Sequence, residues 1–346
     1  MSKWYDTPSD TDGIFISSRV RLARNLQGKN FPARIPDEDS REILKNMYVE
    51  SHALEKIAGC PVICENVYDM NEENRAELTE KHIISQTLGV SGKASGVMFS
   101  EDESSSIMIN EDDHLRIQVI KNGFAIDAAY AQANAIDDYF DGKFGYAFDP
   151  QYGYLTSSVS ECGTGLRASF FVFLPAISIA DKIQKLSDEV ARYGIGIRGV
   201  YGEGSKSEGY VYQLVNTKTL GCSEKEIIDN MSQIMAQVAE QEHKFREYIL
   251  SSNADEITDK VYRSYGVLAY AKSLTCDDAV MLLSQLKLGI DEGLISFDSN
   301  PNVYGLMLVM HPGNIQKIAG LKLGKADRDH FRAGYINKLI RQMKMK

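Results

Sequence analysis

The chain has 346 residues, 43% hydrophobic and 25% charged, beyond the size at which one core usually stops growing, so two domains are expected. Its net charge of −10 argues against general nucleic-acid binding, and no apolar run approaches the roughly 18 residues of a membrane-spanning helix. The N-terminus Met1-Ser2-Lys3-Trp4 carries no apolar signal segment. The five thinly spread cysteines (Cys60, Cys64, Cys162, Cys222, Cys276) read as those of a reduced, cytoplasmic protein without a zinc-site pattern. The charge is uneven: from Lys322 to Lys346 eight Lys/Arg stand against two Asp, a local +6, leaving −16 elsewhere. That basic tail reads either as an anion-binding surface or as a solvated helix face.

Apolar positions Ile43, Leu44, Met47, Tyr48, Leu54 and Ile57 recur at helical spacing and predict a helix over 40–57. Short runs at 96–100 and 106–110 predict strands, and 126–140 a helix. Segments 152–156, 168–174, 195–200 and 210–216, rich in aromatic and β-branched residues, predict further strands. Between them 178–193 reads as a helix closed by Gly194. A stripe from Ile227 to Ile249 predicts a helix over about 224–250; the polar stretch 251–255 then reads as a turn. Helices are expected over about 255–271, 276–288 (opened by the capping-box pair Thr275 and Asp278) and 326–343. The expected organisation is residues 1–250, a mixed sheet with helices, and residues 251–346, helical.

Five arginines lie in glycine- or serine-rich settings beside apolar runs: Ser17-Ser18-Arg19-Val20-Arg21, Asn110-Glu111-Asp112-Asp113-His114-Leu115-Arg116, Gly163-Thr164-Gly165-Leu166-Arg167-Ala168-Ser169 and Arg198-Gly199-Val200-Tyr201-Gly202-Glu203. Arginine presents a planar fork of five donors that matches phosphate oxygens and keeps its proton. A convergent set would clamp a polyphosphate while neighbouring carboxylates hold a cationic substrate, which points to phosphoryl transfer. Arg19 and Arg21 alternate along a strand and share a face; they read either as phosphate ligands around an anion or as an exposed sheet face. Arg116 and Arg198 have acids nearby and read first as local ion pairs, whereas Arg167 precedes a strongly apolar strand. His82 reads first as a helix-end histidine and second as a ring for adenine stacking. Gly194-Ile195-Gly196-Ile197-Arg198-Gly199 follows a helix and enters a strand, the reverse of a dinucleotide-binding turn. The chain has no P-loop motif and no H-R-D or D-F-G set, so side chains must hold any nucleotide.

In this order, Ser-Ser-Arg-Val-Arg, Asn-Glu-Asp-Asp-His-Leu-Arg, Gly-Thr-Gly-Leu-Arg-Ala-Ser and Arg-Gly-Val-Tyr-Gly-Glu resemble the phosphagen (guanidino) kinase family, and more closely its bacterial branch, the protein arginine kinases. The resemblance runs from about residue 13 to the C-terminus. It includes Glu80-Lys81-His82-Ile83-Ile84-Ser85, Arg263-Ser264-Tyr265-Gly266, Leu282-Leu283-Ser284, Leu288-Gly289 and Arg328-Asp329 with Arg332-Ala333. It implies an α+β fold: a phosphagen-kinase-like catalytic domain, mainly antiparallel sheet flanked by helices, followed by a smaller helical C-terminal domain. It implies ATP-dependent phosphorylation of protein arginines with Mg²⁺, in bacterial stress response and protein quality control.

The resemblance assigns catalysis to Glu203, with Asp112 where the family usually has a second glutamate. It assigns ATP to Ser17, Ser18, Arg19, Val20, Arg21, His82, Arg116, Arg167, Ala168, Ser169, Phe170, Phe171, Arg198, Gly199, Val200, Tyr201, Gly202 and Glu203. Arg328, Asp329, Arg332 and Ala333 match its allosteric phosphoarginine-binding motif, with no protein ligand set for a metal. Implied partners are proteins with exposed arginines, a zinc-binding activator and Clp-type unfoldase machinery; a homodimer is left open. Relatives acting on free arginine or creatine carry a helical N-terminal domain before the first arginines, for which positions 19 and 21 leave no room. Two departures stand out. The loop that usually reads Ser-Cys-Pro-Thr-Asn-Val is Ser157-Ser158-Val159-Ser160-Glu161-Cys162, losing its thiol and proline and gaining a charge at Glu161, and Asp112 is one methylene shorter than glutamate. They keep two other readings in play: a weak or inactive phosphoarginine-binding adaptor, and a kinase for a small guanidino compound.

Overall fold

The computed structural model describes residues 2–7, 13–200, 207, 209–298 and 301–346. In chain order the first elements are β1 (Phe15–Arg24), α1 (Asp37–Val49), α2 (Ser51–Ala58), β2 (Val62–Glu65), α3 (Glu72–Glu80), α4 (Gln86–Gly89), β3 (Gly96–Ser100), β4 (Ser105–Ile109), β5 (Leu115–Asn122) and α5 (Ile126–Phe144). There follow β6 (Phe148–Asp149), β7 (Gly153–Tyr154), β8 (Leu166–Phe173), α6 (Pro175–Ile179), α7 (Ile183–Ala191), β9 (Ile195–Arg198) and β10 (Val211–Asn216). The last are α8 (Glu224–Tyr270), α9 (Cys276–Asp291), α10 (Val303–Val309), α11 (Pro312–Ala319) and α12 (Lys325–Gln342). Among the described residues no helix is long and apolar enough to cross a membrane.

Eight strands pair antiparallel in one sheet, ordered β2-β3-β4-β5-β1-β8-β10-β9. Strand alternation gives the sheet two different faces. Val20, Leu22, Ile117, Val119, Phe170, Val172 and Leu214 point to one side, into a core shared with α5 and the first half of α8. Truncating a ring as enclosed as Phe170 there costs about 3–5 kcal/mol. On the other side, Ile16, Ile120, Phe171, Phe173 and Val211 pack with apolar residues of the C-terminal helices. Further along that side, Val97, Phe99 and Met108 meet Leu78 of α3, Ile83, Ile84 and Leu88. The arginines lie on this second face.

Several elements depart from the sequence reading. The helix expected over 40–57 divides at Glu50, and that over 178–193 divides around Asp181, whose φ is 54°. Gly194 does adopt the left-handed conformation, φ 74°, beyond the end of α7. The strand expected over 152–156 contracts to the two-residue β7, paired with β6. The turn expected at 251–255 is only a kink: a reciprocal Ser223/Glu226 capping box opens α8, which runs 47 residues with Asn253 alone in non-helical geometry. Ile249 and Ile257 are buried on either side of it, so packing carries the helix through a polar stretch. Strands β2, β5 and β6 and helices α4, α10 and α11 have no distinct signal in the sequence, and α3 has only the helix-end reading of His82. In α3, for instance, only Leu78 is buried.

The C-terminal helices are tied to the sheet side through α3. Glu80 accepts hydrogen bonds from Gly313 N (2.7 Å) and Asn314 N (2.8 Å), satisfying the first free amides of α11. Lys317 pairs with Glu77 (3.2 Å) and Lys322 with Glu73 (2.7 Å) at the rim of the same contact.

Candidate active site

Ladder register is what gathers the arginines. Arg21 lies opposite Arg167 on one side and opposite Gln118 on the other; Ala23 is opposite Arg116, Phe171 opposite Gln213, and Gln213 opposite Arg198. Residues opposite one another share a face, so five adjacent strands present Arg116, Arg19 with Arg21, Arg167, Gln213 and Arg198 together. From β1 to β9 is three strand spacings, roughly 14 Å. Arg19, Arg21 and Arg198 line one cavity of about 70 Å³ with His82, Gln118 and Gln213. Thr79 and Gln86 also line a neighbouring cleft of about 700 Å³ between α3, α4 and His311.

Several cations crowd this cavity, and two of them keep an unpartnered donor among the described residues. The Nε atoms of Arg19 and Arg21 are buried and have no hydrogen-bond partner among the described residues. Burial, reinforced by Arg21, Arg116 and Arg198, holds Arg19 well below the ordinary arginine pKa. Burial and Arg116 likewise push Arg21 down to about 10. The Arg19 guanidinium also lies 4.8 Å above the Phe171 ring. Ser17 Oγ on the same strand is buried and unpartnered among the described residues. Buried polar atoms are nearly always partnered, and these donors could be satisfied by an anion.

His82 stands two residues beyond α3 with φ 60°, a helix-end position, its ring centroid 5.1 Å from that of Phe171. Its carbonyl accepts from Gln118 Nε2 at 2.6 Å. Burial, then the charges of Arg19, His311 and Arg21, depress its pKa strongly, so the ring is neutral at pH 7.

Arg116 and Arg167 are in the opposite condition. Arg116 Nε pairs with Glu111 Oε2 at 2.8 Å, and its Nη2 lies 3.4 Å from Glu161 Oε2 and 3.7 Å from Asp112 Oδ2. Arg167 Nε pairs with Glu161 Oε1 at 3.0 Å, while its Nη1 donates to the Asn216 carbonyl and its Nη2 to Ser160 Oγ, both at 2.8 Å. The carboxylate tightest on Arg116 is thus Glu111, fully enclosed and also accepting from the Ser85 hydroxyl, whereas Asp112 is half exposed at the rim. Glu111 lies in the same motif, and its burial could not be read from composition. Ser158, in the place of the usual thiol, pairs with Ser160 Oγ at 2.9 Å. Tyr201, Gly202 and Glu203 lie outside the described residues; Val200 lines the arginine cavity.

Not every expected residue meets the cavity. Val20, Ala168 and Phe170 point into the core on the opposite face because the strand period is two. Ser18 Oγ donates to the Gly123 carbonyl (2.8 Å) and accepts from Ala125 N (2.8 Å), pinning the loop before α5. In the C-terminal motif Arg332 is 1% exposed. Its Nε donates to the Met310 carbonyl (2.6 Å), and its Nη1 to the Leu274 carbonyl (2.8 Å) and Asp329 Oδ1 (2.5 Å). Ala333 is buried beside it, while Arg328 and Asp329 reach the surface in the first turn of α12.

Residues 48–245 match the family described as ATP:guanido phosphotransferase, C-terminal catalytic domain, and residues 254–346 match the protein-arginine kinase McsB C-terminal domain. The chain is 40% identical to the protein-arginine kinase of Halalkalibacterium halodurans, over 97% of this chain and 94% of that one. The chain belongs to the protein-arginine kinase family. It is also 37% identical to the protein-arginine kinase of Bacillus subtilis, over 98% of this chain and 93% of that one. Among solved structures, a lombricine kinase superposes with a TM-score of 0.56 at 24% identity, covering 68% of each chain. The substrate-free duplicated taurocyamine kinase from Schistosoma mansoni gives 0.58 at 20% identity, over 94% of this chain and 51% of that one. These likenesses establish the phosphagen kinase fold, which agrees with an antiparallel sheet flanked by helices. Arg19 and Arg21 precede the stretch matched by the catalytic-domain family, whereas the protein-arginine kinases align over nearly the full chain.

Proposed function

We propose that this protein transfers the terminal phosphoryl group of ATP to the guanidinium of arginine side chains in proteins. The observation that carries the reading is the pair of buried Nε atoms of Arg19 and Arg21, unpartnered among the described residues, in a cavity shared with Arg198 and flanked by Arg116 and Arg167. Dispersed positive charge of this kind stabilises a transferring phosphoryl group. The neighbouring 700 Å³ cleft is large enough for a nucleoside and shares Thr79 and Gln86 with the arginine cavity that neutral His82 lines.

A guanidinium is a poor nucleophile while protonated. As the new N–P bond forms, the bond from the γ-phosphorus to the bridging oxygen breaks, ADP leaves with that electron pair, and the guanidinium proton passes to a carboxylate. By motif, Glu203 accepts the proton and Asp112 orients the planar group. Among the described residues no three His, Cys, Asp or Glu side chains are grouped to hold a metal. A guanidinium-lined cavity suits Mg²⁺ carried by the triphosphate itself, where the ion neutralises phosphate charge. At the C-terminal motif, Arg328, Asp329 and the remaining Nη2 of Arg332 would bind phosphoarginine allosterically. Family resemblance extends the reading to a cytoplasmic stress-response role with a zinc-binding activator, a Clp-type unfoldase and a second copy of the chain.

The test is incubation of the purified protein with Mg·ATP and an arginine-rich protein. Phosphate that is lost in mild acid and absent from a lysine-substituted acceptor is expected. Acid-stable phosphate, or none, would overturn the reading.

A further inference from the structure

We propose that Glu161 is a built-in counter-ion standing in the place of the transferred phosphoryl group, and that ATP binds by displacing its side chain. The inference rests on the phosphotransfer reading above and adds to it a residue that sets nucleotide preference. Its two carboxylate oxygens are divided between two guanidiniums, Oε1 at 3.0 Å from Arg167 Nε and Oε2 at 3.4 Å from Arg116 Nη2. Two oxygens of a phosphoryl group would make the same pair of contacts.

The pocket has a direction that identifies which phosphate is mimicked. Arg19, Arg21 and Arg198 share their cavity with His82 and adjoin the 700 Å³ cleft, so the nucleoside lies at that end. Arg116 is bound to Glu111 and approached by Asp112, so the cationic acceptor is drawn to the other end. A phosphoryl group in transit between the two passes Arg116 and Arg167, where Glu161 sits. The two halves also differ in satisfaction: Arg19 and Arg21 keep unpartnered Nε atoms among the described residues, while Arg116 and Arg167 are paired. Burial raises the Glu161 carboxyl, but Arg116, Arg21 and Arg167 together outweigh it and the group stays ionised.

Displacement needs only side-chain rotation. The Glu161 backbone is anchored, its N–H donating to the Ser158 carbonyl and its carbonyl accepting from Gly165 N, and Thr219 Oγ1 donates to the carbonyls of Ser160 and Cys162 on either side. The adjoining Val159 is 90% exposed, so the turn reaches the surface among the described residues. ADP lacks the terminal phosphoryl and leaves Glu161 in place. ATP must break two charge-assisted contacts before its last phosphate seats. Glu161 therefore weakens ATP relative to ADP and makes the protein responsive to their ratio.

Calorimetric titration of wild type, Glu161→Gln and Glu161→Asn with a non-hydrolysable Mg·ATP analogue and with Mg·ADP tests this. In the variants the ATP analogue should bind on the order of tenfold more tightly and ADP should stay within about twofold. Melting of the ligand-free variants should come earlier, because Arg116 and Arg167 lose their shared anion. A merely structural role would weaken both nucleotides together. An unchanged ATP:ADP ratio overturns the proposal and leaves the phosphotransfer reading intact, whereas failure of wild type and variants to bind either nucleotide overturns both. Should neither variant fold, wild type still decides: ADP must bind at least as tightly as the ATP analogue, and a clear preference for ATP overturns the proposal.

Discussion

Arg21 of β1 and Arg167 of β8 are cross-strand partners, two guanidinium groups rooted opposite each other on one face of an antiparallel ladder. Like charges so placed destabilise a sheet unless something neutralises them. Arg167 is neutralised by Glu161 and held by Ser160 and Asn216. Arg21 keeps a buried Nε without a partner among the described residues, and burial with Arg116 pushes its pKa down to about 10. Arg167 is thus satisfied within the protein, whereas Arg21 keeps a donor that a phosphate oxygen would fill.

That contrast makes Arg21→Met informative. Without nucleotide, the variant should melt at or above the wild-type temperature, because an apolar stem replaces a half-buried cation whose Nε is buried and unpartnered among the described residues. Its affinity for Mg·ATP should fall by about 2 kcal/mol, roughly thirtyfold. A melting temperature several degrees below wild type, with affinity unchanged, would show Arg21 to be a structural cation.

For Glu203→Gln the expectation is retained nucleotide binding with loss of phosphoryl transfer, since the change removes charge and proton acceptance but little volume. Single-turnover transfer to an arginine-rich protein measures it. Wild-type turnover in the variant would move the role of proton acceptor to Asp112.

His114 sets part of the acid limit of stability. It is fully buried, its Nδ1 accepts from Leu26 N at 3.1 Å, and burial brings its pKa down to about 4. Below its unfolded value of about 6.5 the unfolded chain binds this proton and the folded chain does not, so stability falls as pH drops from 6.5 toward 4. The contribution approaches about 3 kcal/mol at the lower end. His114→Gln keeps an acceptor that does not titrate and should flatten the urea-derived stability profile across this window. A profile with the wild-type slope would falsify the assignment.

The two arginines of the C-terminal motif should separate by assay. Arg332→Ala removes a buried guanidinium that ties α12 to the Met310 and Leu274 carbonyls, so a loss of about 3 kcal/mol is expected. Arg328→Ala, at the surface, should leave the melting temperature within a degree or two while abolishing the heat of phosphoarginine binding. Indistinguishable isotherms for Arg328→Ala and wild type would reduce the motif to a helix start that holds the C-terminal helices together.

The sequence by itself determined the chemistry on offer and much of its placement. Arginine's fixed charge, the period of two in Ser17–Arg21 and the ordered motifs pointed to phosphate chemistry and identified a kinase family, because residue type and strand alternation are local properties. The helices at 126–140 and 276–288 were legible for the same reason, each carrying its own apolar period or cap. Tertiary structure alone decided which arginines are already neutralised and which are not. Glu161 reaches Arg116 across 45 residues of sequence, and Arg332 reaches the Leu274 carbonyl across 58. Such pairings depend on ladder register and helix packing, which local sequence does not encode. The same holds for α8: Ser251 to Asp255 are polar enough to form a turn, but burial of Ile249 and Ile257 on either side keeps the chain helical, with only Asn253 out of line.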